Sequence, residues 1–346
     1  MGFKVRRKPD FEQFLKVLRR RGRPTYLPFY EHVASSGFVA CRTGKPFDRM
    51  KPSDPQYWPT YVEFWVGMGY DCIPMEIPLR IEIGGWQGGL THGSEAEVVI
   101  RSTEDFERFP WPEESAPIEF RHFETVGQLL PEGVRIVGGV AAGPYEWVSR
   151  MMGVIGLAYA LADAPGLVEM MFRKIGALHA SADRQLAAMD CVGALRQGDD
   201  LGFKTATFLS PEDIRKYVLP IYRAQVAAAH ARGKPFILHS CGNLAEVYED
   251  LIACGIDAKH SFEETILPVA EFKRRYGARL TPLGGLDVDF ICRRSADEIR
   301  AYTRRAIQDC FADGHWALGT GNSLTNYMPV ENYLVVLETG LEVAGK

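Results

Sequence analysis

The sequence has no C-x-x-C pair, and its seven cysteines are an odd number. A disulfide framework is therefore disfavoured, and we expect a cytoplasmic protein in a reducing compartment. Long apolar runs are also missing: stretches such as 153–162 are far shorter than the roughly 20 residues that span a bilayer. Residues 1–23 are basic and lack the apolar centre of a signal peptide. We therefore expect no membrane partner.

An excess of basic residues is absent as well. The chain has 40 Lys and Arg against 44 Asp and Glu, so its formal net charge is -4. This balance gives no indication of a nucleic-acid or anionic-membrane partner. No G-x-G-x-x-G follows an early strand, which argues against an open dinucleotide-binding sheet.

What the sequence does contain is a regular alternation of short apolar runs and helix-like segments over its 346 residues. Such alternation is typical of βα units around a parallel sheet. Eight strands are predicted: 25–31, 70–76, 135–142, 194–199, 235–239, 258–262, 279–284 and 316–319. Eight units favour one closed barrel, so we predict a single α/β domain over 1–346, a (β/α)8 TIM barrel.

Two segments lie outside the eight units. Residues 1–24 are predicted to be an N-terminal helical segment. Residues 77–134 form an insertion after the second strand, and its glycine pairs at 84–85 and 88–89 favour a hairpin or lid.

Carboxylates collect at the predicted carboxyl ends of the strands, where barrel enzymes build their active sites. The candidates for acid–base chemistry are Glu31, Asp199, Asp200 and Asp287. Adjacent side chains on a strand point to opposite sides, so only one of Asp199 and Asp200 can face the barrel mouth. Asp287 could instead cap the short helix that follows it.

The sharpest motif is His239-x-Cys241 at the end of the fifth strand. Imidazole and thiolate are both good zinc ligands, and an i, i+2 pair at a strand end can point both at one ion. Two ligands do not complete a site, and a buried cysteine beside a backbone-bonded histidine is the alternative interpretation. Further ligands or substrate contacts could come from other strand ends; besides Glu31, Asp199 and Asp200, the candidates are His260, Glu263 and Asn322.

Several motifs together carry a family resemblance. They are QGDD at 197–200, LSPE at 209–212, LHSCGN at 238–243, GGLDV at 284–288 and PVEN at 329–332. The chain resembles the uroporphyrinogen decarboxylase superfamily, and in particular its branch of zinc-dependent, corrinoid-linked methyltransferases. The resemblance implies a (β/α)8 barrel with His239 and Cys241 as zinc ligands. The late cysteine that completes the family's zinc site is replaced by Thr320.

The same resemblance implies what separates this chain from the decarboxylases. Thr25 stands where their early motif has its second arginine, and Thr320 stands where they have the histidine of a late G-H-G. The implied function is transfer of a methyl group between a small methylated compound, such as a methyl ether or amine, and a corrinoid protein, with zinc as cofactor. The sequence has no D-x-H-x-x-G motif, so cobalamin would be carried by the partner.

Two alternatives stay open. A decarboxylase or lyase acting on a smaller acid would use Asp199, Asp200 and the early arginines, without metal. A non-catalytic protein would bind a corrinoid or tetrapyrrole and not turn it over. The resemblance also makes a homodimer a candidate assembly, since dimers are common in this superfamily.

Overall fold

The computed structural model of the protein describes residues 3–83 and 98–344. Six strands pair in parallel and in sequence order: β1 (Cys72–Pro78), β2 (Arg135–Ala141), β3 (Val192–Gly198), β4 (Phe236–His239), β5 (Ala258–His260) and β6 (Thr281–Pro282). In-order parallel pairing is the pattern of successive βα units, as the alternation in the sequence predicts.

The first and eighth predicted strands pair through single bridges and not through long ladders. Leu283 pairs with Ala317 next to β6, and Leu318 pairs with Phe29. The Leu318 amide donates to the carbonyl of Pro28 at 2.9 Å, but Pro28 has no N–H to extend the pairing. The sheet therefore continues from β6 through 316–320 to 28–32, and the protein has a (β/α)8-barrel fold.

One apolar layer shows how the eight segments enclose a common interior. Each segment contributes one buried side chain to it: Tyr30, Cys72, Val137, Ala194, Ile237, Ala258, Leu283 and Ala317. The N-terminal helix α1 (Phe11–Arg19) packs on this layer with its own apolar side chains, including Phe14, which stacks on the Tyr30 ring at 5.7 Å between centroids. The helix thus closes the amino-terminal end of the barrel, and only the opposite end is available for a site.

The helices form the outer layer. Between α1 and β1 lie α2 (Ser36–Thr43), a 3₁₀ turn (Phe47–Arg49) and α3 (Tyr57–Gly67). Between β1 and β3 lie α4 (Thr103–Arg108), α5 (Arg121–Leu129), α6 (Pro144–Met152), α7 (Val154–Asp163) and α8 (Pro165–Ala188). After β3 follow α9 (Pro211–Asp213), a π turn (Ile214–Val218), α10 (Leu219–His230), α11 (Tyr248–Ala253), α12 (Val269–Tyr276), α13 (Val288–Arg293), α14 (Ala296–Cys310) and α15 (Val330–Ala344).

The predicted insertion at 77–134 contains the end of β1 and the helices α4 and α5. The glycine pairs on which the hairpin or lid prediction rests fall at 84–89, outside the described residues. Within the residues that are described, no helix combines the length and apolar character needed to cross a bilayer.

Candidate functional site

The polar layer of the barrel interior follows directly from strand alternation. Side chains two residues apart on a strand share a face. Two residues beyond the apolar layer, the inward positions are therefore His32, Arg196, His239 and His260, and Glu76 lies four residues beyond Cys72 on β1. All five are near the carboxyl ends of their strands. Acid–base and metal-binding groups are thus gathered at the open end of the barrel.

Three histidine rings pack together in this layer. The ring of His32 stacks on that of His239 with 3.7 Å between centroids. The Nδ1 atoms of His239 and His260 are 2.8 Å apart, which is a hydrogen bond between two rings. Burial lowers the pKa of all three imidazoles, and mutual repulsion among them adds to the effect on His32 and His239. The rings are therefore neutral at physiological pH, the state in which histidine binds metals.

An ion pair joins the first segment to β1 and β3. The Nη2 atom of Arg196 lies 2.7 Å from Oε1 of Glu76, and Nη1 of Arg196 donates to the carbonyl oxygen of His32. Arg196 is almost wholly buried, whereas the Glu76 side chain keeps 14% of its surface exposed. Burial raises the pKa of Glu76, and Arg196 opposes that shift. The contact of Arg196 with the His32 carbonyl holds His32 in place beside His239.

Asp200, His239 and Cys241 place three ligand atoms within 4.8 Å of one another. His239 Nε2 is 3.5 Å from Cys241 Sγ and 3.7 Å from Asp200 Oδ1. Around tetrahedral zinc, with Zn–S of about 2.3 Å and Zn–N of about 2.0 Å, nitrogen and sulfur ligands stand about 3.5 Å apart. Three protein ligands leave the fourth position open, as in catalytic zinc sites. The residues therefore fit a zinc ion.

A second group, His32, His239 and His260, also brings its nitrogens within 4.8 Å of one another. Both nitrogens of His260 are occupied, however, because Nε2 lies 3.0 Å from the Thr320 carbonyl and Nδ1 contacts His239. A ligand nitrogen must offer a free lone pair to the metal. The arrangement therefore favours the set of Asp200, His239 and Cys241, and gives His260 a hydrogen-bonding role.

The Cys241 sulfur has two further polar neighbours. Asn322 Nδ2 donates to Sγ at 3.3 Å, and Ser261 Oγ lies 3.5 Å from it. Burial and the nearby Asp200 carboxylate raise the pKa of the Cys241 thiol. Glu263 contacts the same loop differently: its Oε1 accepts the Gly242 amide at 3.3 Å. Asn322 therefore contacts the candidate ligand Cys241 itself, whereas Glu263 accepts a hydrogen bond from the backbone of the turn that follows Cys241.

Glu31 points away from the barrel interior, because Tyr30 and His32 on either side of it point inward. Its carboxylate accepts hydrogen bonds from Thr320 N at 2.5 Å, Thr320 Oγ1 at 2.6 Å and Tyr333 Oη at 2.7 Å. Burial raises the pKa of Glu31 to about 7. Thr320 therefore turns its hydroxyl toward Glu31, behind the sheet, and not toward the candidate zinc ligands.

Asp199 and Asp200 separate as strand alternation requires. The Asp199 carboxylate accepts the amides of Tyr145 and Glu146 at the start of α6, and the Tyr222 hydroxyl at 2.8 Å. Burial raises the pKa of Asp199 to about 7. An added Cβ at Gly143 would stand 2.1 Å from Asp199, so only glycine fits there. Asp199 thus joins β3 to α6, and its neighbour Asp200 reaches the candidate ligands His239 and Cys241.

Asp287 stands at the start of α13. Its Oδ1 accepts the Phe290 amide at 2.6 Å, which is the hydrogen bond of an N-cap residue. The sequence leaves two roles open for Asp287, acid–base chemistry and capping of the following helix, and this hydrogen bond is that of the cap.

Three residues of the polar layer were given no role by the sequence analysis: His32 and Glu76, which are polar residues at the ends of the first and second predicted strands, and Arg196. A signal for them exists, since each lies two or four residues beyond a member of the apolar layer. Using that signal requires knowing which face of each strand is inward. A strand of a parallel barrel is buried on both faces, so its apolar pattern does not show which of its residues point into the barrel.

The sequence matches the uroporphyrinogen decarboxylase (URO-D) family over residues 90–342. A methyltransferase from Methanosarcina mazei superimposes with a TM-score of 0.72 at 16% identity, covering 97% of this chain and 99% of that one. A B12-independent methionine synthase from a Shewanella species gives a TM-score of 0.39 at 14% identity, over 66% and 68% of the two chains, which is too loose to bear on fold or function. No curated protein matches the sequence. The first superposition agrees in fold and the family match covers most of the sequence; the chain belongs to the uroporphyrinogen decarboxylase family.

Proposed function

We propose that this protein is a zinc-dependent methyltransferase that moves a methyl group between a small methylated compound and the corrinoid of a partner protein. The observation that carries the proposal is the convergence of Asp200, His239 and Cys241 at the open end of the barrel, with ligand-atom spacings that fit zinc. In the proposed site Asp200 takes the place of the late cysteine of the corrinoid-linked methyltransferases that the chain resembles.

Bound zinc supplies a Lewis acid that lowers the basicity of the heteroatom carrying the methyl group. Asp200, His239 and Cys241 hold the ion, and Asn322 donates to the sulfur and so disperses its charge. The reduced corrinoid of the partner would supply the nucleophile that accepts the methyl carbon, and the electron pair of the broken carbon–heteroatom bond would stay on the heteroatom. The leaving heteroatom takes up a proton from solvent at the open end of the barrel, and Glu76, partly exposed and ion-paired with Arg196, borders this layer as a negative charge.

The partner must approach the same end of the barrel, since α1 closes the other one. Two aromatic side chains on loops at the open end are strongly exposed: Phe203 after β3 and Tyr327 after the last segment, at 62% and 71%. Exposed aromatic residues of this kind are typical of protein interfaces. Phe203 and Tyr327 therefore support the proposal that the corrinoid protein docks at the open end of the barrel.

The alternative of a decarboxylase that uses the early arginines is disfavoured by position. Arg23 Nη1 donates to the Ala312 carbonyl, which precedes the last barrel segment, and the Thr25 amide donates to Gln13 of α1. Both contacts lie at the amino-terminal end that α1 closes. The residues 23–25 are therefore on the face opposite the candidate zinc site and cannot bind a substrate carboxylate there.

Metal analysis tests the site itself. The purified wild-type protein is expected to retain about one zinc per chain, and Asp200→Asn, His239→Asn and Cys241→Ser should each lose most of it. Cys41→Ser is the matched control, because Cys41 is an exposed free thiol away from the layer. Equal zinc content in all four variants, with normal thermal unfolding, would rule out the proposed ligand set.

A spectroscopic assay tests the reaction. With reduced cobalamin or a reduced corrinoid protein and a panel of methyl ethers and methylamines, we expect formation of methyl-cobalt, seen by its absorbance. The Cys241→Ser variant should be at least a hundred-fold slower. Release of carbon dioxide from uroporphyrinogen without any corrinoid would overturn the proposal in favour of the decarboxylase.

A further inference from the structure

The histidine that would bind zinc through Nε2 can do so only if its proton sits on Nδ1. We propose that Glu31, Thr320 and His260 form a positioning relay that keeps the proton of His239 on Nδ1 and leaves Nε2 free for the metal. The proposal rests on the proposed zinc site, but the relay itself is a property of the metal-free protein.

The relay is anchored at Glu31, which is fully buried. Its two carboxylate oxygens accept both the amide and the hydroxyl of Thr320, and Tyr333 donates to the same carboxylate while its oxygen lies 2.5 Å from that of Tyr70. Two bonds from one carboxylate to one residue fix both the backbone and the side chain of that residue. The peptide group that carries the Thr320 carbonyl is held from its other side, because the Gly321 amide donates to the Leu286 carbonyl at 2.6 Å.

The Thr320 carbonyl faces the barrel interior and is a hydrogen-bond acceptor for the ring of His260. It accepts the Gly285 amide at 2.9 Å and lies 3.0 Å from His260 Nε2. A carbonyl oxygen only accepts, so Nε2 of His260 must carry the proton. In the neutral ring, Nδ1 of His260 is then an acceptor.

The tautomer of His260 determines the tautomer of His239. Their Nδ1 atoms are 2.8 Å apart, and one proton must lie between them. Because His260 accepts there, His239 donates from Nδ1, and its Nε2 carries a lone pair. That Nε2 is the atom 3.5 Å from Cys241 Sγ and 3.7 Å from Asp200 Oδ1.

The relay explains why Thr320 can replace a zinc-binding residue without loss of the site. Its side chain points behind the sheet to Glu31, while its carbonyl orients a ligand through His260. Groups that orient metal ligands in this way typically change metal affinity by about 10- to 100-fold when they are removed.

Nitrogen NMR of the metal-free wild-type protein tests the proton positions directly. A scalar coupling across the N–H···N bond identifies the pair His239 and His260, and the chemical shifts of their other nitrogens report the tautomers. We expect His239 protonated on Nδ1 and His260 on Nε2. A spectrum with His239 protonated on Nε2, or without coupling between the two rings, overturns the relay.

Variants test its consequence for zinc. His260→Leu should raise the zinc dissociation constant by about 10- to 100-fold. His179→Leu is the matched control, because His179 is equally buried but contacts Gln197 and no residue of the relay. Equal zinc affinity in the two variants would contradict the relay. A wild-type protein that shows the expected tautomers but binds no zinc would contradict the proposed zinc site and leave the relay unaffected.

Discussion

Replacing Glu31 by glutamine should make the protein less sensitive to pH. Glu31 has no exposed surface, and burial raises its pKa from about 4.5 to about 7, although Thr320 and Tyr333 donate hydrogen bonds that lower it. Glutamine has the shape of the protonated acid and keeps an acceptor for Thr320 and Tyr333. The substitution therefore removes the titration and keeps most of the contacts.

The sign and size of the effect follow from the two pKa values. Between pH 4.5 and 7 the folded state holds the Glu31 proton and the unfolded state does not, so the free energy of unfolding falls as the pH rises through this window. The difference between these two pKa values corresponds to about 3 kcal/mol of stability. We expect the wild-type protein to lose about this much, relative to Glu31→Gln, between pH 4.5 and pH 8.

Urea unfolding of the metal-free wild-type and Glu31→Gln proteins at four pH values from 4.5 to 8 measures the difference. Titration of all other groups is common to both proteins and cancels in the comparison. If the stability difference stays constant within about 0.5 kcal/mol across this range, Glu31 does not titrate as its burial implies.

Three other predictions concern the barrel and its mouth. Phe14→Ala should lower the free energy of unfolding by about 3–5 kcal/mol, because the buried ring fills the closed end of the barrel, and Phe14→Leu should cost much less; equal urea midpoints would contradict this packing. Asp287→Ala should cost about 0.5–2 kcal/mol in thermal unfolding through the lost cap of α13, with zinc content unchanged, and loss of zinc would instead show a role in the site. Zinc should dissociate during dialysis in mild acid, because protonation of Cys241 and His239 competes with the metal, and retention of zinc at pH 4.5 would argue against a thiolate ligand.

The sequence by itself determined the presence of parallel βα units and the place of the candidate metal-binding motif. Short apolar runs separated by helical segments favour parallel pairing, and eight such units favour the sequence-order pairing of a closed barrel. An i, i+2 spacing at a strand end puts His239 and Cys241 on one face, whichever face that is. The alternation also determined that Asp199 and Asp200 must separate, one to each side of β3.

Only the tertiary structure decided which face is inward. Strands of a parallel barrel are covered on one side by the interior and on the other by helices, so both faces carry apolar residues and the sequence pattern has no preferred phase. Packing of α1 against one residue from each segment fixes that phase, and with it the inward direction of His32 and the outward direction of Glu31. The proposed third zinc ligand depends on the same choice: Asp200 lies on the inner face, whereas Thr320 turns its side chain behind the sheet.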